Sequence, residues 1–117
     1  MSDINRYQLG LEKLSEVVGT AGQDAVSSLG DVGQYIVEFI FGDIYNREGL
    51  SLREREIISV AVLAALGGRD PQLRLHIGGA LNVGLTLKEI EEVIIQTIPY
   101  AGFPTAMNAL KILKEFD

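Results

Sequence analysis

The chain contains no cysteine and one histidine, His76. Without cysteine, the sequence excludes disulfides, thiolate nucleophiles, dithiol redox chemistry and cysteine-ligated zinc. With one histidine, a metal site built from several histidines of a single chain is excluded as well. No Gly-x-Ser-x-Gly sequence is present, which disfavours a hydrolase with a serine nucleophile elbow. Any proton transfer by an imidazole must therefore use His76.

Positive charge is also scarce, because ten lysines and arginines stand against sixteen aspartates and glutamates, for a formal net charge of −6. A phosphate-backbone binder takes most of its affinity from a basic face, so we expect neither nucleic acid nor a membrane as partner. The longest apolar run is about half of the roughly 20 residues that a membrane-spanning helix needs. The first ten residues show no signal-peptide pattern. We therefore expect a cytoplasmic protein.

What is present is the composition of an ordinary globular domain, with 47% hydrophobic and 22% charged residues in 117. A chain of this length can bury a real core, and it predicts one domain over residues 1–117. Apolar residues recur mostly every three or four positions, which favours helices over strands. We predict an all-α fold of five or six helices, near residues 6–18, 31–45, 51–66, 70–83, 86–98 and 105–116. Residues 19–30, rich in glycine and serine, are predicted to form a loop with a short helical turn at 24–28.

The central helix is the most apolar, since Ser59 is the only polar residue from 57 to 66. A helix that is apolar on nearly every side is expected to be buried on nearly every side. Ser51 and Glu54 fit a capping box at its start. Gly67 and Gly68 are expected to end it with left-handed backbone conformations.

The helix that carries His76 is expected to begin with Asp70 as N-cap and Pro71 as first helical residue. Asp31 is expected to cap an earlier helix in the same way. Thr86 and Glu89 predict a second capping box. Three apolar stripes follow from the spacing. They are Tyr35, Ile36, Phe39 and Ile40; then Ile90, Val93, Ile94 and Thr97; and finally Ala106, Met107, Leu110 and Leu113.

His76 is the candidate site, and two interpretations of it stay open. The residues three, four or seven positions away share its helical face, and they include the small Gly79 and Ala80 together with Arg69, Gln72, Leu73 and Val83. Small neighbours suit a structural histidine at a contact between helices or subunits. They equally suit a histidine that lines a pocket and donates or takes a proton.

Arg53 and Arg55 stand at the head of the central helix, and they also allow two interpretations. One is pairing with Glu48, Glu54 or Glu56 on a solvated surface, which contributes little to stability. The other is that a guanidinium, Arg55 above all, binds a carboxylate through two hydrogen bonds.

Tyr45 and Tyr100 are expected to be core aromatics with a hydroxyl group at the edge, or else hydrogen-bond donors in a pocket.

The stretch from residue 49 to 110 resembles the carboxymuconolactone decarboxylase family, within the alkylhydroperoxidase D-like superfamily. The residues that carry the resemblance are Arg55, His76, Ala80, Leu81, Gly84, Thr86, Glu89, Ile90, Glu92, Gln96, Tyr100, Gly102 and Pro104. Arg6 and Tyr7, and the segment 42–45, extend it over nearly the whole chain. The resemblance implies an all-α homo-oligomer, a trimer or a hexamer, with sites near subunit contacts.

The resemblance also divides the possible activities. The peroxidase branch carries a Cys-x-x-Cys at the positions of Arg69 and Gln72, so thiol peroxidase activity is excluded. The remaining branch implies decarboxylation of a small carboxylated lactone in the degradation of aromatic compounds, without cofactor or metal.

The site that the resemblance implies has His76 and Arg55 as catalytic residues and Tyr45, Arg53 and Arg74 as substrate-binding residues. Arg74 faces away from His76 on the same helix, so it would serve a neighbouring subunit. The chain departs from the family pattern in four places, which are Gly78 for an arginine, Tyr45 for a tryptophan, Ala101 for a cysteine and Asn108 for a histidine. The alternative is a non-catalytic oligomeric binding or scaffold protein that keeps the fold.

Overall fold

The computed structural model describes residues 5–117, and within that range the chain is helical almost throughout, without a β-strand. The predicted all-α fold is confirmed. The described residues form two compact units, 5–52 and 53–117. The prediction of one domain over the whole chain stays a prediction. Along residues 5–117, no helix is both long enough and apolar enough to cross a membrane.

The first unit begins with helix α1 (Arg6–Ser27), which the side chain of Asn5 caps by accepting a hydrogen bond from the Gln8 amide at 3.1 Å. The predicted loop at 19–30 is wrong at 20–23, which are helical, whereas the short helical turn predicted within it at 24–28 is confirmed over 24–27. Gly19 alone leaves the helical region, with φ 65° and ψ −153°, and the helix resumes after this kink. A single glycine with positive φ interrupts a helix without preventing the next turn from forming.

In the first unit, α1 is followed by α2 (Asp31–Tyr35) and a π-helix (Ile36–Ile44). The predicted helix is confirmed, but its buried residues are not those whose spacing indicated it. Tyr35 and Phe39 are exposed, whereas every fourth residue is buried, at Gly33, Val37, Phe41 and Tyr45. A π-helix bonds each amide to the fifth preceding carbonyl, as Tyr45 does with Ile40 at 2.8 Å. This wider turn lengthens the repeat beyond 3.6 residues.

Glycine allows α1 and the π-helix to approach backbone to backbone. A Cβ atom placed on Gly10 would lie 2.0 Å from the carbonyl oxygen of Val37, which no side chain could tolerate. Next to this contact, Arg6 donates two hydrogen bonds to Asp43, at 3.0 and 2.7 Å.

The second unit contains α3 (Leu52–Leu66, whose first residue still belongs to the first unit), α4 (Asp70–Asn82), α5 (Leu87–Gln96), α6 (Ile98–Ala101), α7 (Phe103–Leu113) and a 3-10 turn (Lys114–Phe116). One core joins these helices, formed by Val60, Ala64, Leu73, Ile77, Ala80, Leu85, Ile90, Ile94, Ala106, Ala109, Ile112 and Leu113.

The prediction that α3 is buried on nearly every side is wrong for the single chain. Its buried residues are Glu56, Val60 and Ala64, which lie four apart. Another side of the helix leaves Ile58 and Val62 48% exposed and Leu66 57% exposed. The remaining helices of one chain cover only part of α3. The apolar composition of α3 therefore predicts more burial than the single chain provides.

The predicted ends of the helices are partly confirmed. Gly67 and Gly68 follow α3 with φ near +70°. The capping box of α5 is complete, since the Glu89 amide donates to Thr86 Oγ1 at 3.0 Å and the Thr86 amide donates to Glu89 Oε1 at 2.9 Å. The proposed N-caps are wrong by one position, because Asp70 is the first helical residue, after Arg69.

Asp31 is displaced in the same way, since α2 begins with it and Gly30 is its N-cap. In α5 the predicted stripe is confirmed, with Ile90, Ile94 and Thr97 buried. In α7 it fails at Met107, which is 64% exposed.

Candidate active site

The most distinctive polar contact of the second unit joins α3 to α4. His76 Nδ1 lies 2.8 Å from Glu56 Oε1, between residues twenty positions apart. The Glu56 side chain is fully buried, and 16% of the His76 side chain is exposed. A carboxylate and an imidazole therefore meet at the edge of the protein interior.

The helical period places Glu56 inside. It precedes Val60 and Ala64 at intervals of four on the buried face of α3, so its side chain enters the core with theirs. A buried carboxylate is costly unless hydrogen bonds and opposite charge compensate it. The His76 ring supplies such a partner.

The contact engages one of the two ring nitrogens of His76, Nδ1. When His76 donates its Nδ1 proton to Glu56, the imidazole is held in one orientation and one tautomer. Nε2 is then left to accept or donate a proton. On the same helix, Gly79 and Ala80 are buried, so these small residues serve close packing beside the histidine.

Arg53 and Arg55 differ in their surroundings. Arg53 forms an ion pair with Glu89 on α5, whereas the sequence suggested a partner among nearby glutamates. Arg55, which directly precedes Glu56, is half-buried with its Nε atom out of contact with solvent. Its carbonyl oxygen accepts a hydrogen bond from the Ser59 hydroxyl at 2.9 Å.

Arg74 is engaged by a carboxylate of its own chain. It donates two hydrogen bonds to Glu115, at 2.7 and 3.0 Å. These bonds raise the pKa of Arg74 and lower the pKa of Glu115. Its predicted part in substrate binding stays a prediction, and a substrate carboxylate would have to compete with Glu115.

The two candidate tyrosines are placed differently from each other. Tyr45 belongs to the first unit and is buried, with its ring stacked on Phe41 at a centroid distance of 4.8 Å. Tyr100 belongs to the second unit and is 89% exposed. The core interpretation therefore fits Tyr45 and is wrong for Tyr100, and a role of Tyr45 in substrate binding stays a prediction.

From the sequence alone, Glu56 is expected only as a partner for a surface arginine, and nothing names it as a candidate site residue. The signal was present. Counting back in fours from Val60 and Ala64 along the apolar helix leads to this glutamate, and a carboxylate on a buried face needs a partner. The sequence did not indicate which helix would bring that partner to Glu56.

An open groove of about 550 Å³ lies between α3 and α5, and it begins at Ile57, the residue after Glu56. Its walls are almost wholly apolar. They include Ala61, Ala65, Val93, Thr97 and Tyr100. Among the described residues, no group of three or more histidine, aspartate and glutamate side chains is arranged to hold a metal ion.

The second unit is thus a small all-α unit in which one imidazole contacts one buried carboxylate. The model of the carboxymuconolactone decarboxylase family matches residues 30–115. The chain belongs to this family, which confirms the resemblance found in the sequence.

Three relatives show the range of proteins to which the chain is similar. The chain is 35% identical to 4-carboxymuconolactone decarboxylase of Acinetobacter baylyi, over 98% of this chain and 89% of that protein. It is 28% identical to nitrosuccinic acid decarboxylase of Metarhizium robertsii, over 86% of this chain and 70% of that protein. It is 36% identical to an uncharacterized 15.0 kDa protein of Paracoccus denitrificans, over 66% of this chain and 58% of that protein. Two of these three relatives carry the name of a decarboxylase.

Proposed function

We propose that this protein is a cofactor-free carboxy-lyase that removes CO2 from a small carboxylated lactone of the kind formed in the degradation of aromatic compounds. The observation that carries the proposal is the contact of His76 with the buried carboxylate of Glu56 at 2.8 Å. The decarboxylase names of two relatives support it at the level of reaction type.

The reaction requires a proton at a defined place. The bond between the ring carbon and the leaving carboxylate breaks, CO2 departs, and the electron pair stays behind, delocalised towards the lactone carbonyl. A proton must then be added to carbon. His76, as an imidazolium, delivers it from Nε2 and becomes neutral, while Glu56 stabilises the cationic form at Nδ1.

The substrate also needs an anchor. Arg55 stands next to Glu56 in sequence, and its guanidinium suits a carboxylate because it can donate two parallel hydrogen bonds. We propose that Arg55 binds a carboxylate of the substrate that is not lost. At Arg53 and Arg74, a substrate carboxylate would have to compete with the glutamate of the same chain that each arginine contacts.

The proposal extends to assembly and location. Ile58, Val62 and Leu66 form an exposed apolar stripe along α3, and a second copy of the chain is the proposed partner that covers it, as the family resemblance implies. We propose a homo-oligomer, a trimer or a hexamer, that acts in the cytoplasm. The same stripe also supports the alternative of a binding or scaffold protein that assembles without turnover.

The decisive experiment follows the loss of ultraviolet absorbance of 4-carboxymuconolactone with the wild type and with His76→Asn. A general acid contributes a factor of about 10² to 10⁴, so the variant should lose at least about 10²-fold in turnover. Lys88→Met is the control, because Lys88 is a surface residue that pairs with Glu91 and Glu92. Equal turnover of wild type and His76→Asn would refute the assignment of His76.

If the wild type neither turns over this lactone nor is stabilised by any small di- or tricarboxylate in a thermal-shift screen, the scaffold alternative replaces the enzyme.

A further inference from the structure

We propose that Arg53 and Glu89 form a positioning clamp that holds α3 in the register at which Glu56 reaches His76. This inference rests on the proposed function for its catalytic consequence, but its structural content can be tested without any substrate. Arg53 then acts through Glu56 and is a positioning residue.

The α5 side of the clamp is fixed by its own hydrogen bonds. Glu89 Oε1 accepts from the Thr86 amide at 2.9 Å, the Glu89 amide donates to Thr86 Oγ1 at 3.0 Å, and Glu89 Oε2 accepts from Arg53 Nη2. The pKa of Glu89 is lowered, first by the Thr86 backbone and then by Arg53. A carboxylate in the first turn of a helix is also favoured by the helix dipole. The guanidinium of Arg53 therefore binds a carboxylate whose position is fixed by the capping box of α5.

The packing of α3 explains why the contact between Arg53 and Glu89 matters for the position of this helix. Farther along α3, the helix enters the core through Val60 and Ala64, which are small and apolar. Apolar contact is not directional, so it sets the depth of a helix better than its register. Arg53 and Glu56 lie one turn apart, and their polar contacts with α5 and α4 are directional. Together they define where the first turns of α3 lie along the helix axis.

The hydrogen bond between His76 and Glu56 tolerates a smaller displacement than a one-residue shift of α3 would produce. A shift by one residue moves a side chain by about 1.5 Å along the axis and turns it by about 100°. A hydrogen bond of 2.8 Å between His76 and Glu56 does not survive such a shift, because it would exceed the usual limit of about 3.2 Å. Loss of the clamp should therefore affect the alignment of His76 before it affects the fold.

The first test observes His76 directly. Since His76 is the only histidine, the ¹⁵N signals of one imidazole report the tautomer without assignment. In the wild type, Nδ1 should carry the proton that Glu56 accepts. In Arg53→Met and in Glu89→Gln we expect a mixture of the two tautomers. Glutamine at position 89 keeps the capping box, so α5 should stay folded in that variant.

The control is Arg6→Met, which removes the arginine of a comparable pair, Arg6 with Asp43, in the first unit. Its imidazole signals should match those of the wild type, and Arg53→Lys should restore part of the wild-type tautomer. Unchanged signals in both Arg53→Met and Glu89→Gln would overturn the clamp.

The second test is kinetic and separates two roles of Arg53. A positioning role predicts that kcat falls about 10- to 100-fold while KM stays the same, since a misplacement of about 1 Å can cost 10²-fold. The double variant Arg53→Met/Glu89→Gln should lose no more than either single variant, because both remove one interaction. A raised KM with unchanged kcat and unchanged imidazole signals would instead make Arg53 a substrate-binding residue.

Failure of the proposed function would look different. If the wild type has no decarboxylase activity but its imidazole signals respond to Arg53→Met and Glu89→Gln, the clamp stands and the enzyme assignment falls.

Discussion

Glu56 and His76 are twenty residues apart, yet Oε1 of the glutamate lies 2.8 Å from Nδ1 of the imidazole, with the glutamate side chain fully buried. This contact joins the first half of α3 to the middle of α4. The proposed chemistry depends on this contact, because in the proposed mechanism it orients the ring and leaves Nε2 for the substrate.

Glu56→Gln is expected to separate activity from stability. The amide oxygen can still accept the Nδ1 proton of His76, so the unfolding free energy should change by no more than about 1 kcal/mol. The negative charge that stabilises the imidazolium is lost, and turnover should fall at least about 10-fold.

The matched variant Glu56→Leu removes the acceptor altogether. It should destabilise the protein by about 1–3 kcal/mol, as expected when a buried donor is left without a partner. Urea unfolding and the absorbance assay, applied to both variants, measure the two effects. If Glu56→Gln retained full turnover, the carboxylate would have no catalytic part.

Gly10→Ala should destabilise the first unit. The added Cβ would lie 2.0 Å from the Val37 carbonyl oxygen, so the π-helix or α1 has to move. Overpacking of this kind costs about 1–3 kcal/mol, or more when backbone is the obstacle. Thermal unfolding followed by circular dichroism measures the change.

Gly78→Ala is its counterpart in α4. There the added Cβ would meet Phe116 only at an ordinary 3.9 Å. The variant should gain about 0.5–1 kcal/mol from helix propensity. The prediction fails if the two alanine variants change the stability in the same direction.

Acid should remove the contribution of the Arg74–Glu115 pair. The pKa of Glu115 in the folded protein is lowered from its usual 4.5 by the hydrogen bonds from Arg74. The stability that this pair contributes is therefore fully present above about pH 4.5, and it is lost as the pH falls through the pKa of Glu115 in the folded protein. The Tm of the wild type should exceed that of Glu115→Gln at neutral pH, and the two should converge below that range.

Glu12→Gln serves as the comparison, since Glu12 is exposed on α1 and takes part in no ion pair within residues 5–117. Its Tm difference from the wild type should change little over the same pH range. If the Tm of the wild type still exceeded that of Glu115→Gln by the same amount in acid, the prediction would be contradicted.

Val62→Glu should weaken assembly. Val62 lies in the middle of the exposed stripe of α3, between Ile58 and Leu66. A buried, unpaired carboxylate in an interface is costly, so the mass in solution should fall towards that of one chain. Light scattering coupled to size-exclusion chromatography measures it.

Ser28→Glu adds the same charge at an exposed polar position after α1 and should leave the mass unchanged. If Val62→Glu had the mass of the wild type, this stripe would not be the contact between copies.

The helices were predictable where their signals are local. Thr86 and Glu89 specify their capping box within four residues, and Gly67 and Gly68 end α3 because their backbone accepts a positive φ. The kink at Gly19 and the π-helix after Tyr35 were not predictable, because both are irregularities inside helices that the local pattern describes only approximately.

Helix caps and the apolar period are properties of neighbouring residues, so the sequence by itself determined the helical class, and the absence of cysteine excluded thiol chemistry. The sequence also indicated the family, through motifs that resemble it. It also singled out His76. Only the tertiary structure decided that Glu56 is its partner, that Arg53 turns to Glu89, and that one side of α3 stays exposed. The physical reason is that a helix period defines faces but not which face meets which neighbour. That choice depends on how α3, α4 and α5 pack.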